Sequence, residues 1–344
     1  MKKINVAING LGRIGRAFVR IATERADAQE LINLVAVNDL GDKDNLAYLL
    51  RYDSAYGRTS FPVTAKEGAL VVNGKEVKFL QEKDPTLLPW KDLDIDVVIE
   101  STGFFESYDK AAGHITAGAK RVVISAPAKE GSDDSKGVTV LMGINDFALK
   151  NYQISSNGSC TTNSVSPVIQ ILNDTIGVEK AVLNTVHAYT ATQKLVDSPD
   201  AKDWRRGRAA AHNIVPSTTG AAIAVTKVIP QLEGLFDGIA LRVPVITGSL
   251  ADITFISKRA TTVAEVNDIL QRAAKEDRWK NIFTIAPDQI VSGDIIGLPF
   301  ASIADLAFTK VVGGNLVKVL AWYDNETGYT HTLVDHAIKA GQQI

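Results

Sequence analysis

The chain has 344 residues, long for a single domain, and its 45% hydrophobic and 22% charged residues are those of a globular protein in water. A net charge of −2 offers no footing for nucleic acid or an anionic membrane surface, and no apolar run reaches bilayer-spanning length. A single cysteine excludes an intrachain disulfide framework and a cysteine-based zinc site, and no other metal-ligand set is read. An unpaired thiol suits a reducing compartment. Met1-Lys2-Lys3 runs straight into a short apolar strand, not into a signal-peptide core, so a cytoplasmic location is expected.

Ile4 to Asn9 reads as a buried strand, followed by Gly10-Leu11-Gly12-Arg13-Ile14-Gly15 and a helical stretch from Arg16 to about Thr23. This is the glycine fingerprint of a dinucleotide site. Gly10 allows the tight turn, Gly12 lets a pyrophosphate approach the backbone, and Gly15 lets helix and strand pack closely. A second strand, Ile32 to Asn38, ends in Asp39, where a carboxylate would hold adenosine ribose hydroxyls and repel a 2′-phosphate; NAD is favoured over NADP. Leu70 to Val77 is a hairpin with an Asn73-Gly74 turn, an antiparallel insertion in an otherwise parallel sheet. The strands 96–100 and 121–124 end in Ser101-Thr102-Gly103 and Ser125-Ala126-Pro127. Strand ends in such a sheet form the ligand crevice, so Thr102, Gly103 and Ser125 are either cofactor contacts or ordinary turn residues.

The stretch Ser155 to Asn163 organises the whole sequence. Cys160 lies among small polar residues after Gly158 and before an apolar run with helical spacing, in which Pro167 fits a first turn. The reading is strand, turn at Gly158, then Cys160 at a helix N-terminus, where the dipole favours thiolate. A buried structural cysteine is the bland alternative; the polar flanks argue for a nucleophile.

Beyond it, Ala181 to Val186 forms a strand ending in His187, and Lys194 to Asn213 is a long polar, structureless loop. Strands at 239–243, 250–257, 304–309 and 316–323 with few crossovers predict a mixed or antiparallel sheet. Thr262 and Glu265 form a capping box for a helix from Val263 to about Lys275, and Thr330 to Ala340 is a final helix. If His187 faces Cys160 it can take the thiol proton and hold a thiolate–imidazolium pair. Arg206, Arg242, Thr190 and Thr219-Gly220 offer donors suited to phosphate groups. Arg242 is the stronger candidate, because a charge inside an apolar strand needs a partner; Arg205 and Arg208 read as solvated.

With these residues in hand the chain resembles the phosphorylating glyceraldehyde-3-phosphate dehydrogenases along essentially its whole length. The resemblance rests on the stretches 9–16, 159–163, 219–222, 241–244 and 322–326, the last reading Trp322-Tyr323-Asp324-Asn325-Glu326. It implies an α/β chain: a Rossmann-type domain with a doubly wound parallel sheet over residues 1–158, with the C-terminal helix of about 325–344 packed back on it, and an α+β catalytic domain over 159–324. It implies Cys160 as nucleophile and His187 as its partner. Thr190 and Arg242, with Arg206 nearby, form one phosphate site, and Ser159, Thr219 and Gly220 form a second beside Thr161. The fingerprint residues Gly10, Gly12, Arg13, Ile14 and Gly15 bind NAD, with Asn325 on the nicotinamide carboxamide. The substrates are glyceraldehyde 3-phosphate and inorganic phosphate, and the assembly is a homotetramer in which the loop 194–213 lines a neighbour's cofactor site.

Two departures stand out. Lys83 occupies a cofactor-loop position where the family usually has arginine, which keeps the charge but not a planar stack on adenine. The loop Ser198-Pro199-Asp200-Ala201-Lys202 lacks the histidine that many relatives carry. The rival readings are the same chemistry on erythrose 4-phosphate and a non-catalytic NAD-binding redox sensor.

Overall fold

In a computed structural model, which describes residues 2–129, 133, 135–201 and 203–344, the chain divides into two compact units. One runs to Gly158 and regains the chain at Thr330–Ile344; the other is Ser159–Tyr329.

The first unit contains β1 (Ile4–Asn9), α1 (Arg13–Glu24), β2 (Ile32–Asn38), β3 (Val63–Lys66), β4 (Ala69–Val72), β5 (Lys75–Leu80), β6 (Val97–Glu100), α2 (Tyr108–Thr116), β7 (Arg121–Ile124), β8 (Gly137–Thr139) and β9 (Ile154–Ser156). They form one nine-stranded sheet in the order β8-β9-β7-β6-β1-β2-β5-β4-β3. Pairing is parallel from β8 to β5, and only the β5–β4–β3 edge is antiparallel. Central strands covered on both faces need continuous apolar runs, and Val6, Ala7 and Ile8 are fully buried. The edge hairpin turns at Asn73 and Gly74, both at positive φ, as its right-handed twist requires. Because β1 lies between β2 and β6, its C-terminal end is the point where the strand order reverses, and there the sheet opens a crevice.

The second unit begins with α3 (Cys160–Asn173), followed by β10 (Val178–Ala188), β11 (Val215–Thr218), α4 (Ala221–Val228), β12 (Phe236–Val243), β13 (Ser249–Ser257), α5 (Val263–Ala273), β14 (Phe283–Ile285), β15 (Ser302–Val312) and β16 (Leu316–Tyr323). Its sheet order is β11-β12-β10-β13-β16-β15-β14, mostly antiparallel, with β12–β10 and β15–β14 parallel. The expected mixed sheet is found.

Local details depart from the sequence reading. Helix α3 starts at Cys160 itself, so Pro167 lies inside it at the eighth position, where it removes one backbone hydrogen bond, and not in the first turn. Thr262 caps α5 by accepting from the Glu265 amide, but the Glu265 carboxylate turns to Arg259 and Thr261, so the box is only half made. The reciprocal capping box occurs instead at Ser159 and Thr162. Residues 194–213 are not structureless: a short 3-10 turn at Trp204–Gly207 and a close approach of Gly207 to the Ser198 carbonyl fold the loop on itself, while Lys202 lies outside the described residues. The final helix, α6, spans Thr327–Gly341.

The Thr330–Ile344 segment is tied to the first unit through buried polar groups. The Ser155 hydroxyl is 2.8 Å from His336 Nε2, and His336 Nδ1 is 3.0 Å from Asn157 Oδ1. An amide oxygen only accepts, so the proton sits on Nδ1 and Nε2 accepts from Ser155. Burial pushes His336 down to about 3. The unfolded chain, with an ordinary histidine, takes up a proton first as pH falls, so this contribution to stability is whole above about pH 6.5 and drains away toward pH 3. Between pH 7 and 5 the loss is about 2 kcal/mol. His336→Gln keeps a donor and an acceptor but cannot charge. Its denaturation midpoint is expected to fall less between pH 7 and 5 than the parent's, and equal falls in a urea titration would remove His336 as the source.

Candidate active site

The crevice of the first unit is built by backbone sterics. Gly10 has φ +96°, and a Cβ there would lie 2.8 Å from the Thr102 nitrogen; a Cβ on Gly15 would lie 2.1 Å from the Gly10 carbonyl oxygen. Gly12, by contrast, faces open space and forms the N-terminal boundary of α1. The three glycines thus divide the expected roles: turn, open approach, and close packing beneath the turn. The first-turn amides of Arg13 and Ile14 point out of the helix end, where an anion is favoured. The Arg13 guanidinium itself is engaged with Asp53 and lies over Tyr56, so its side chain has another task. Asp39 Oδ2 accepts from the Leu11 amide at 2.6 Å and Oδ1 from the Gly41 amide at 2.7 Å, so this carboxylate also pins the glycine turn.

These residues open on a cleft of about 1090 Å³ whose walls include Gly10, Gly12, Asp39, Lys83 and Thr102. Gly103 and Ser125 lie outside its walls. Sequence reasoning missed Asn9 and Asn38, which close β1 and β2 and line the cleft, and the exposed apolar Leu40 and Phe104 at its rim. Polar residues ending two otherwise apolar strands were the available signal for the asparagines. The volume, the carboxylate and the apolar rim fit a dinucleotide.

In the second unit, Ser159 caps α3 and sets Cys160 at its first position. His187 is the penultimate residue of β10 and the cross-strand partner of Arg242 on β12 in parallel register. That register explains the cluster. Cys160 Sγ is 3.4 Å from His187 Nε2, and His187 Nδ1 is 2.7 Å from the Ala188 carbonyl and 2.8 Å from Arg242 Nη1. Nδ1 thus sits between a pure acceptor and a pure donor. With the proton on Nδ1, Nε2 accepts from the thiol; with the proton on Nε2, it supports a thiolate. The ring of Tyr323 meets His187 edge-on at 5.9 Å, and its hydroxyl bridges Thr161 at 2.8 Å and Thr185 at 2.7 Å.

Burial acts on both members of the pair. Burial pushes His187 down to about 3, and the adjacent Arg242 charge adds to this. Burial likewise pushes the Cys160 thiol up, against the pull of Arg242 and of backbone donors. Desolvation thus works against an ion pair on both partners, while the Arg242 charge favours the thiolate and disfavours the imidazolium.

Arg206 lies close enough to Arg242 for the two charges to interact, and it reaches the Thr218 carbonyl at 3.5 Å beside Thr219 and Gly220 at the start of α4. Thr190 pairs with Thr192. Arg208 is not merely solvated: it is paired with Asp197. Asn325 is buried, its amide oxygen accepting from Gly248 N, Ser249 Oγ and Thr247 Oγ1, which leaves the NH₂ end as the donor it can present. No cluster of potential metal ligands occurs among the described residues, and no helix among them is long and apolar enough to cross a membrane.

Residues 4–108 match the family described as glyceraldehyde 3-phosphate dehydrogenase, NAD binding domain, and residues 159–325 match glyceraldehyde 3-phosphate dehydrogenase, C-terminal domain. A glyceraldehyde-3-phosphate dehydrogenase of Streptomyces coelicolor is 46% identical over 344 residues, 99% of each chain. One of Clostridium pasteurianum is 47% identical over 334 residues, 96% of each chain.

The electrostatics yield a test that needs no turnover. Arg242→Gln removes a cation that favours the Cys160 thiolate, so alkylation by iodoacetamide at pH 7 is expected to slow and the rate–pH profile to move to higher pH. An unchanged profile would show that the Arg242 charge does not reach the sulfur.

Proposed function

The chain belongs to the glyceraldehyde 3-phosphate dehydrogenase family, and we propose that it oxidises D-glyceraldehyde 3-phosphate with NAD and inorganic phosphate to 1,3-bisphosphoglycerate, a step of glycolysis. The observation that carries this reading is the Cys160–His187 contact with Arg242 in register beside it.

Cys160 Sγ attacks the aldehyde carbon while its proton passes to His187 Nε2, and the protonated ring supplies that proton to the carbonyl oxygen, giving a thiohemiacetal. Bound NAD supplies the hydride acceptor. As the carbon is oxidised, His187 takes the hydroxyl proton back, leaving a thioester on Cys160. Inorganic phosphate attacks that thioester, the acyl phosphate departs, and the thiolate regains its proton from His187. A neutral imidazole is the form that accepts a proton first, but burial and the Arg242 charge make it a weak base; an anion bound beside Arg242 would bring its pKa back toward the working pH, where a general base is most effective. Arg242, Thr190 and Arg206 hold the substrate phosphate, and Ser159, Thr161, Thr219 and Gly220 hold the attacking one. In the first unit Gly10, Gly12, Ile14, Asp39 and Lys83 hold the dinucleotide.

The same reading makes the protein a cytoplasmic homotetramer. Support comes from Leu195, Val196, Trp204 and Ile214, which are all exposed in and beside the 194–213 loop, and from the exposed Val182, Ile239 and Leu316 on one sheet. Light scattering giving a monomer mass would exclude it.

Phosphate-dependent NADH formation from glyceraldehyde 3-phosphate tests the activity, and kcat/KM is expected to exceed that for erythrose 4-phosphate. Cys160→Ser is expected to abolish oxidation while leaving NAD affinity largely intact, because a hydroxyl cannot be ionised here. Retained turnover would sink the nucleophile assignment. His187→Asn should lower kcat by on the order of 10²–10⁴-fold.

Asp39→Ala is expected to shift the NAD/NADP ratio of kcat/KM toward NADP by removing the like charge. Both absolute values should fall, because the Leu11 and Gly41 amides lose their acceptor. An unmoved ratio would remove Asp39 from cofactor discrimination.

A further inference from the structure

Behind the cofactor cleft, and not lining it, lies a buried carboxylate with no cationic partner within hydrogen-bond reach among the described residues. Glu100, at the C-terminal end of β6, is 2% exposed, and a lone buried carboxylate is costly unless its oxygens are fully hydrogen-bonded. Here they are. Oε2 accepts from Asn9 Nδ2 at 2.6 Å and faces His114 Nε2 at 3.0 Å; Oε1 accepts from the Thr102 amide at 2.8 Å and the Thr102 hydroxyl at 2.5 Å.

The protonation of His114 follows from its other neighbour. Trp90 Nε1 donates to His114 Nδ1 at 3.0 Å, and an indole N–H can only donate. Nδ1 therefore carries a lone pair, the proton is on Nε2, and the neutral ring donates to Glu100. Both residues are fully buried, with the ring of Phe105 edge-on to His114.

The network reaches the cleft through its far members. Asn9 Oδ1 accepts from Asn38 Nδ2 at 2.7 Å, and Asn38 in turn accepts from the Glu82 amide at 2.8 Å. Asn9, Asn38, Glu82 and Thr102 all line the cleft, while Glu100, His114 and Trp90 do not. One carboxylate thus ties together the ends of β1, β2 and β6 and the loop after β5, the four walls that meet at the strand-order reversal.

We propose that Glu100 is the positioning residue of the cofactor cleft: it holds Asn9 and Thr102 in the geometry that receives the dinucleotide, and His114, kept in one tautomer by Trp90, is the donor that completes the hydrogen bonding of this buried carboxylate. This rests on NAD binding in the first unit. Glu100→Gln puts an N–H where only acceptors fit, against either Thr102 or the Asn9–His114 pair. His114→Gln can still offer a donor to Glu100 and an acceptor to Trp90, whereas His114→Phe offers neither.

The test titrates the intact protein with NAD by calorimetry and measures steady-state kinetics. Glu100→Gln and His114→Phe are expected to raise Kd and KM for NAD roughly ten- to hundredfold, the loss of a charge-assisted bond, with kcat within about threefold. His114→Gln is expected to stay within about threefold of the parent in Kd. An unchanged NAD affinity in Glu100→Gln, or a fall in kcat at constant KM, overturns the proposal. Should the variants not fold, ¹⁵N-histidine spectra of the parent still decide: His114 as the Nε2–H tautomer is expected, and the Nδ1–H tautomer overturns it. A parent that binds no NAD overturns the cofactor reading instead.

Discussion

The desolvation of His187 is the constraint on which the chemistry of the second unit depends. An imidazole on a covered strand end, facing a guanidinium in register, is held neutral across the physiological range. Burial also pushes the Cys160 thiol up, against the pull of Arg242. The two groups lie 3.4 Å apart, within reach of a single proton transfer. Arg242 acts in two directions, favouring the thiolate while disfavouring the imidazolium. An anion beside Arg242 would relax the second effect.

The first unit solves a different problem. Its cleft must present backbone to a dianionic ligand, which requires turns no side chain would permit. The glycines meet that steric demand, and Asp39 and Glu100 then hold the turn and the strand ends from either side by accepting backbone and amide donors. The rigidity of the cleft is therefore electrostatic as well as steric, with carboxylates serving as acceptors for donors that the sharp turns leave pointing inward.

Much of this was legible along the chain because it depends on local rules. The glycine spacing, the Asn73-Gly74 hairpin, the polar–turn–apolar context of Cys160 and the alternation of strands each express a backbone requirement within a few residues. Where local reasoning failed, a competing local partner won. Glu265 found Arg259 and Thr261 nearer than its own cap, and Pro167, expected in the first turn of the helix that opens at Cys160, lies at its eighth position.

The sequence by itself determined the place of the lone cysteine at a helix start, the dinucleotide fingerprint, the acid at the end of the second strand and the class of each sheet, since these follow from residue type and short-range periodicity. Only the tertiary structure set the electrostatic surroundings of Cys160 and His187, because desolvation depends on everything packed around a group and not on its neighbours in the chain. The pairing of His187 with Arg242 likewise required strand register across 55 positions. The Trp90–His114–Glu100–Asn9 network was invisible for the same reason. Its members are scattered over more than a hundred residues, and what makes them a unit is a buried charge that must collect its donors from wherever the fold brings them.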